Sequence, residues 1–322
     1  MKNRKIKGYG YEPGSKCIAN SDFEKIIDTN DEWIVSRTGI ETRYVSPDKN
    51  ASELGFIAAS KAIENAGVNK KDIDLIIVAT MTPDNITPSC ACLIQAKLGL
   101  NEQRVMAFDI NAACTGFVYA LQVASYMLEE YKCALVVGVD INSKMVDYND
   151  RNTCILFGDG AGSVVLSREE CDNQMIHYAV SKGDIEGKLC AKAIPLHEEL
   201  KNGDREFGFL EQNGSEVFRF AVSALEEAIV EVLIKAGKTL DDIDIVIPHQ
   251  ANKRIIDNVA KHMGIGEDKL YINLVRYGNT SGGSIPIALA EAMEMDVIKE
   301  GMKIIIVGFG GGFTYAASYI EL

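Results

Sequence analysis

Cys114 lies in the stretch Asp109-Ile110-Asn111-Ala112-Ala113-Cys114-Thr115-Gly116-Phe117. The apolar run 105–108 before it reads as a buried strand. After it, Phe117, Ala120, Leu121, Ala124, Met127 and Leu128 recur at three- and four-residue spacings, so a helix follows. A thiol at such a strand-to-helix turn faces unpaired N–H groups and the positive end of the helix dipole, which favours thiolate. The small neighbours Ala112, Ala113 and Gly116 leave room for a substrate carbonyl. A buried structural cysteine is the competing reading.

Two other residues belong with it. His249, in Pro248-His249-Gln250-Ala251-Asn252, ends a strand predicted at 243–247, and Asn279 sits in the glycine-rich turn 277–284. Ligands of α/β sheets gather beyond the carboxyl ends of the strands, and Cys114, His249 and Asn279 all fall there. A thiolate can take an acyl group from a thioester. An imidazole and a carboxamide can donate hydrogen bonds to a developing enolate. The backbone N–H of Cys114 and that of a glycine within 310–312 can hold an oxyanion, because a triple glycine admits close backbone approach. The chemistry that fits is carbon–carbon bond formation through an acyl-cysteine.

The positioning elements alternate between helix and strand. The patterning predicts helices at 21–31, 51–66, 88–98, 215–236, 254–262 and 285–295, and strands at 73–79, 134–139, 163–166 and 303–307. The strands are apolar on both faces, as in sheets covered by helices on both sides. Residues 157–162 (Phe-Gly-Asp-Gly-Ala-Gly) lack the GKS/T of a phosphate loop and open no helix, so tight packing explains them better. Residues 181–213 read as a polar excursion between two halves.

Those halves repeat. Ala66-Gly67 followed by Asp72-Ile73-Asp74 returns as Ala236-Gly237 followed by Asp242-Ile243-Asp244, an offset of 170. The strands 134–138 and 304–308 keep that offset. The fold class is therefore α/β, an internally duplicated unit, with halves at 1–172 and 173–322. In this register Cys114 maps onto Ser284 and His249 onto Ala79.

Composition bounds the function. With 322 residues, 47% of them hydrophobic, the chain can bury a large core. No run of 18 apolar residues occurs, and the basic start is followed by Gly8-Tyr9-Gly10-Tyr11 rather than an apolar signal core, so a soluble cytoplasmic protein is expected. The eight cysteines form no CxxC pair, and Cys90-Ala91-Cys92 is too close for a zinc pair, so no metal is expected. A net charge of −13 excludes a general nucleic-acid binder. The lone Trp33 with Arg37 nearby could stack a base and hold a phosphate, or be a packed indole beside a surface arginine.

Six motifs together give the chain a resemblance over its whole length. They are DEWIVSRTGIETR (31–43), DINAACTGF (109–117), ILFGDGAG (155–162), PHQAN (248–252), GNTSGGS (278–284) and GFGGGFT (308–314). The sequence resembles the β-ketoacyl-acyl-carrier-protein synthase III family, condensing enzymes of thiolase-like fold built as an α-β-α-β-α sandwich. The resemblance implies a nucleophile at Cys114, a decarboxylation pair at His249 and Asn279, and oxyanion donors at the N–H groups of Cys114 and Gly311. It implies that Phe309 disfavours the malonyl carboxylate. It places Trp33, Arg37 and Arg151 at the nucleotide end of a coenzyme A site, and Phe218, Ala251 and Asn252 along the pantetheine tunnel. No cofactor is implied. The implied partners are an acyl-CoA, malonyl-acyl carrier protein and a second copy of the chain.

Two departures bear on specificity. Many relatives have Ala-Ala where this chain has Gly282-Gly283, which could loosen the turn holding Asn279. Thr87 stands where many relatives carry a phenylalanine that floors the acyl pocket across a dimer interface. Lys253, Arg254 and Lys261, with Arg219, form a basic surface that could dock an acidic carrier protein, or be an ordinary solvated helix face. A secondary-metabolite ketosynthase of similar length is the alternative enzyme, and a non-catalytic acyl-binding scaffold the alternative outside catalysis.

Overall fold

The computed structural model describes residues 3–170, 173–184, 186–191 and 208–322. Strand β1 (Asn3–Pro13) opens the first sheet, and β2 (Lys16–Ala19) later pairs with β3 (Thr42–Val45). Between β2 and β3 lie the single turn α1 (Asn20–Phe23) and α2 (Asp31–Thr38). The helix expected at 21–31 does not form. Its polar side chains are spent on ends instead: Asp22 accepts from the Ala19 N–H, Glu24 from the Asp31 N–H, and Asn30, in extended conformation, caps α2 by accepting from the Trp33 N–H.

The first half continues with α3 (Ala51–Ala66), β4 (Leu75–Ala79), α4 (Cys90–Lys97), β5 (Met106–Ile110), α5 (Gly116–Met127), β6 (Cys133–Ile141) and β7 (Asp159–Glu169). The helix predicted from 88 begins at Cys90, because Asp109 accepts from the N–H groups of Cys90 and Ala91 and so fixes its start. In the second half β8 (Met175–Ser181) leads to β9 (Leu189–Ala191), which pairs with β10 (Leu210–Gln212). The rest of the excursion expected at 181–213, residues 185 and 192–207, lies outside the described residues, as do 171 and 172 at the expected boundary between halves. Then come α6 (Gly214–Ala236), β11 (Ile245–Pro248), α7 (Lys253–Met263), α8 (Leu274–Tyr277), α9 (Ser284–Glu294), β12 (Lys303–Gly310) and β13 (Thr314–Glu321).

One sheet has the order β1-β7-β6-β4-β5, all from residues 3–169, and another has β11-β12-β13-β8, all from 175–321. Alternating residues of each strand serve different layers, as the pleat dictates. Leu75 and Ile77 face a central core with Phe117 and Leu121 of α5, Leu289 of α9, and Ile247, Ile304 and Ile306 of the other sheet. Ile76 and Val78 pack outward on Leu54 and Ala58 of α3 and Ile94 of α4. Ile305 and Val307 pack outward on α6 and α7. The result is an α-β-α-β-α sandwich.

The offset of 170 persists in the paired caps Gly67 and Gly237, both left-handed, and in β4/β11 and β6/β12. It slips at the turns before α5 and α9. Ala113 (φ 47°) and Ser281 (φ 51°) are matching left-handed residues, each opens a three-residue 3-10 turn, and their helices start at Gly116 and Ser284. These features are 168 apart, so Cys114 corresponds to Gly282 and not to Ser284. Side-chain identity carried no trace of this, because the equivalence lies in backbone angles.

His177 on β8 ties its own sheet to α5. Its two ring nitrogens meet the hydroxyls of Ser125 (2.8 Å) on α5 and Ser318 (2.7 Å) on β13. Burial, aided by the Arg4 and Lys235 cations, lowers its pKa to about 3. The unfolded chain therefore binds a proton below pH 6.5 that the folded chain refuses, and stability falls as pH drops from 6.5 towards 3. For this one histidine the loss between pH 7 and pH 5 should be about 2 kcal/mol. Urea unfolding of wild type and His177→Gln at both pH values should show a smaller loss in the variant; equal losses would contradict the assignment.

Candidate active site

Cys114 sits between β5 and α5 because the chain turns there through the left-handed Ala113. The Asn111 side chain accepts from the Ala113 N–H, and the Thr115 hydroxyl donates to the Ala112 carbonyl. The end of β12 runs against this turn so closely that a Cβ on Gly310 would stand 2.8 Å from the Cys114 nitrogen. Gly311 follows beside Ala113. The N–H-bearing glycine and the cysteine turn are thus neighbours. The thiol is 8% exposed, and its sulfur lies 3.4 Å from the Ser281 hydroxyl. Burial pushes the thiol up to about 12. The helix dipole was expected to favour thiolate; desolvation in this enclosed position outweighs it.

His249 follows β11, and its N–H donates to the Val307 carbonyl at 2.7 Å. Its Nδ1 meets the Ser284 hydroxyl at 2.6 Å, and its ring stands edge-on to Phe309 at 5.3 Å. Burial lowers its pKa to about 3, so the ring is neutral at every physiological pH. Asn279 has its carboxamide oxygen held by the Ser281 N–H at 2.9 Å, which turns the NH2 group the other way. Its own N–H donates to the Leu156 carbonyl. Cys114, His249, Asn279, Phe309 and Gly311 line one mostly apolar cavity of about 160 Å³, with Phe218, Ala251 and Asn252 along its wall.

That cavity shares Leu156, Gln212, Gly214 and Asn252 with a wider mouth of about 880 Å³ containing Trp33 and Arg37. The Arg151 and Arg37 guanidiniums lie over the Trp33 ring, 4.7 and 5.6 Å from its centroid. Asn252 spends its side chain locally: it caps α7 through the Arg254 N–H and donates to the Arg37 carbonyl. Arg37, Arg219 and Arg254 share a further surface depression, where Arg254 stacks 5.9 Å from the Phe218 centroid. Lys253 is paired with Asp257 at 2.7 Å, and Lys261 is exposed outside that depression. Thr87 is exposed and is not among the described residues lining the cavity.

Gly282 and Gly283 make a tight turn in this chain. The Gly282 N–H donates to the buried Asp140 carboxylate at 2.8 Å, and a Cβ on Gly283 would stand 2.5 Å from the Gly160 carbonyl oxygen. The run 157–162 is correspondingly a packing surface: Gly160 and Gly162 belong to β7, and a Cβ on Gly162 would meet the Pro286 backbone at 2.4 Å.

Four residues had no role read for them at the site, Ser284 having been singled out only as the counterpart of Cys114. Ser281 and Ser284 reach Cys114 and His249. Gln250 accepts from the N–H groups of Asn273 and Leu274, tying the histidine to the segment before Asn279. Glu291, 2% exposed, accepts from Tyr271, Asn273, Arg276 and Tyr277. Its signal was available as a lone carboxylate inside the otherwise apolar run 285–293. Among the described residues no group of three His, Cys, Asp or Glu could hold a metal ion, and no helix is long and apolar enough to cross a membrane. Cys17, Cys90, Cys92, Cys114, Cys133 and Cys154 are free thiols, and Cys171 lies outside the described residues.

Two duplicated α/β units in five layers, meeting around a cysteine, a histidine and an asparagine, define a thiolase-fold condensing enzyme. The model of the 3-oxoacyl-[acyl-carrier-protein] synthase III family matches residues 108–183, and that of its C-terminal region matches 233–322. A β-ketoacyl-[acyl-carrier-protein] synthase III of Clostridium perfringens is 47% identical over 330 residues, covering all of both chains. The crystal structure of 3-oxoacyl-[acyl-carrier-protein] synthase III from Aquifex aeolicus superposes with a TM-score of 0.92 at 40% identity, covering 99% of this chain and 100% of that one. The priming β-ketosynthase of the R1128 polyketide pathway superposes with a TM-score of 0.90 at 31% identity, covering 99% and 96%. The chain belongs to the β-ketoacyl-[acyl-carrier-protein] synthase III family, enzymes that transfer acyl groups.

With burial setting the thiol's acidity, thiolate is scarce at neutral pH, and its fraction rises about tenfold per pH unit. Alkylation of Cys114 by iodoacetamide, followed by peptide mapping, should climb at that rate from pH 7 to 9. A plateau below pH 8 would show that the dipole and hydrogen bonds dominate.

Proposed function

We propose that this chain condenses an acyl-CoA primer, acetyl-CoA or another short or branched acyl-CoA, with malonyl-acyl carrier protein. The products are 3-oxoacyl-acyl carrier protein, CO2 and coenzyme A. The supporting observation is the convergence of a thiol, a neutral imidazole and an oriented carboxamide on one apolar cavity beneath a wider mouth that presents the Trp33 indole and Arg37.

The steps follow from what each group can do. Trp33, Arg37 and Arg151 receive the nucleotide end of the acyl-CoA, and the thioester reaches Cys114 past Phe218, Ala251 and Asn252. Cys114 sulfur attacks the thioester carbonyl while the N–H groups of Cys114 and Gly311 hold the oxyanion. The tetrahedral intermediate collapses to acyl-Cys114, and the thiol proton leaves with coenzyme A. Malonyl-acyl carrier protein then enters. Its carboxylate finds an apolar site against Phe309 and departs as CO2, leaving an enolate stabilised by donation from His249 Nε2 and Asn279 Nδ2. For Nε2 to donate, Nδ1 must accept, so Ser284 is the donor in that pair. The enolate carbon attacks the acyl carbonyl and expels the Cys114 thiolate, which a proton from solvent returns to the thiol. No step calls for a cofactor. Residues 1–172 supply the nucleophile and 173–322 the decarboxylation pair.

The protein is read as a cytoplasmic homodimer. Support comes from β5, which has a sheet neighbour on one side only, from Met106 at its start, 45% exposed, and from Ile86 in the segment between β4 and α4, 85% exposed. Across such an interface the partner's Thr87 would floor the acyl pocket, leaving more space than a phenylalanine, about 0.8 kcal/mol per extra buried methylene. A polyketide-type priming role keeps the same steps with a different carrier protein; the likeness to the R1128 enzyme is what favours keeping it as the second reading.

Intact-protein mass spectrometry after incubation with acetyl-, isobutyryl- and hexanoyl-CoA tests the reading. One acyl group should appear on Cys114, none on Cys114→Ser, and Thr87→Phe should lose the longer primers first. Absence of any acyl adduct would favour the scaffold, and an unchanged primer ranking in Thr87→Phe would remove Thr87 from specificity.

The carrier protein is read as docking on Arg254 and Arg219, with Lys253 already neutralised by Asp257. Arg254→Glu should therefore raise KM for malonyl-acyl carrier protein more than Lys253→Glu does, and more at low salt, with little change for acyl-CoA. Equal effects of the two substitutions, or equal effects on both substrates, would contradict the docking assignment.

A further inference from the structure

The turn after Asn279 presents a costly choice of residue. Ser281 holds φ at 51°, a left-handed conformation that a glycine adopts without strain, and two glycines follow it directly. Its side chain is fully buried. The groups that face its hydroxyl are the Cys114 sulfur at 3.4 Å, the Met81 sulfur at 3.9 Å and the Asp140 carboxylate, whose other oxygen contacts run to Met81, Thr80, Thr82 and Gly282. A hydroxyl can serve a thiol and a thiolate in turn, since it can accept from S–H or rotate and donate to S⁻. The slip in register between the halves explains how it gets there. The left-handed residue of the second half faces the turn of the first, so the second-half serine reaches the first-half nucleophile.

We propose that the Ser281 hydroxyl is a further catalytic residue, the donor that holds Cys114 sulfur when that atom carries negative charge. The proposal rests on Cys114 being the nucleophile. In the resting site the hydroxyl accepts a hydrogen bond from the thiol S–H and donates towards Asp140. When the sulfur becomes anionic, in acylation and again when the condensation expels it, the O–H turns from the carboxylate to the sulfur. Ser281 neither gains nor loses a proton; in acylation the thiol proton leaves with the coenzyme A thiol. The same residue thereby keeps the Asp140 charge from facing the thiolate directly, while its N–H orients Asn279. One turn thus serves both half-reactions.

Ser281→Ala keeps the backbone strain and loses the hydroxyl; Ser281→Gly loses both and is the variant expected to fold without penalty. Both should alkylate Cys114 with iodoacetamide at pH 7.5 roughly 10–100-fold more slowly than wild type, the factor expected when a hydrogen bond to a charged atom is lost. Acyl transfer from acetyl-CoA should slow by a similar factor. A structural role would instead make the two variants diverge, with glycine near wild type. Label on Cys114 with a wild-type rate in Ser281→Gly would overturn the serine's role alone. Label on another cysteine in the wild type would overturn the nucleophile assignment itself.

Discussion

Backbone-to-backbone contact between the two halves is the constraint on which the site depends. A Cβ on Gly138 would stand 2.3 Å from the Gly282 carbonyl oxygen, and one on Gly162 2.4 Å from the Pro286 carbonyl carbon. Helix α9 and the turn before it therefore lie directly on β6 and β7, with no side-chain layer between. That closeness lets Asn279 share a cavity with Cys114 and brings the Ser281 hydroxyl within 3.4 Å of its sulfur. A larger residue at these glycines would lift the turn, and displacements of about 1 Å in a reacting site can cost about 10²-fold in rate. The same closeness makes Gly282 and Gly283 fit this chain, whatever the two alanines accomplish in other members of the family.

Charge is managed by keeping it at the edge of the cavity. The groups facing substrate are neutral at rest: burial raises the thiol and depresses the imidazole. The buried carboxylates lie behind them and are satisfied by donors. Asp140 takes the N–H groups of Met81 and Gly282 with two threonine hydroxyls, and Glu291 takes Tyr271, Asn273, Arg276 and Tyr277. Each carboxylate is in effect a clamp, Asp140 on the Ser281–Gly283 turn and Glu291 on the segment leading to Asn279. A buried charge left short of partners is strongly destabilising, so these clamps also rigidify what they hold. In the mostly apolar cavity that remains, hydrogen bonds to an oxyanion or enolate are worth more than they would be in water.

Much of this was legible in the sequence because it is written in local pattern. Unbroken apolar runs gave the two-faced strands, the strand-to-helix change located Cys114, and repeated Ala-Gly caps gave the duplication. What escaped reading lies in other variables. The match of Ala113 with Ser281 is one of backbone angle, so counting from identical residues set Cys114 against Ser284. The polar residues at 21–31 scored as one helix face, but three of them end or begin elements instead. Lys253 looked like docking charge although Asp257, one helical turn on, neutralises it; that i to i+4 spacing was on the page. Gln250 and Glu291 act on segments distant in sequence, which a pass along the chain does not join. Thr87 faces solvent in a single chain, so its relation to the acyl pocket depends on a second copy.

The central claim is that the first half carries the acyl group and the second half makes the enolate. It is tested most directly by rapid mixing of His249→Ala with acetyl-CoA. The account predicts a burst of one coenzyme A per chain at close to the wild-type rate, followed by no condensation when malonyl-acyl carrier protein is added. Loss of the burst, or wild-type condensation after it, would contradict the division of labour.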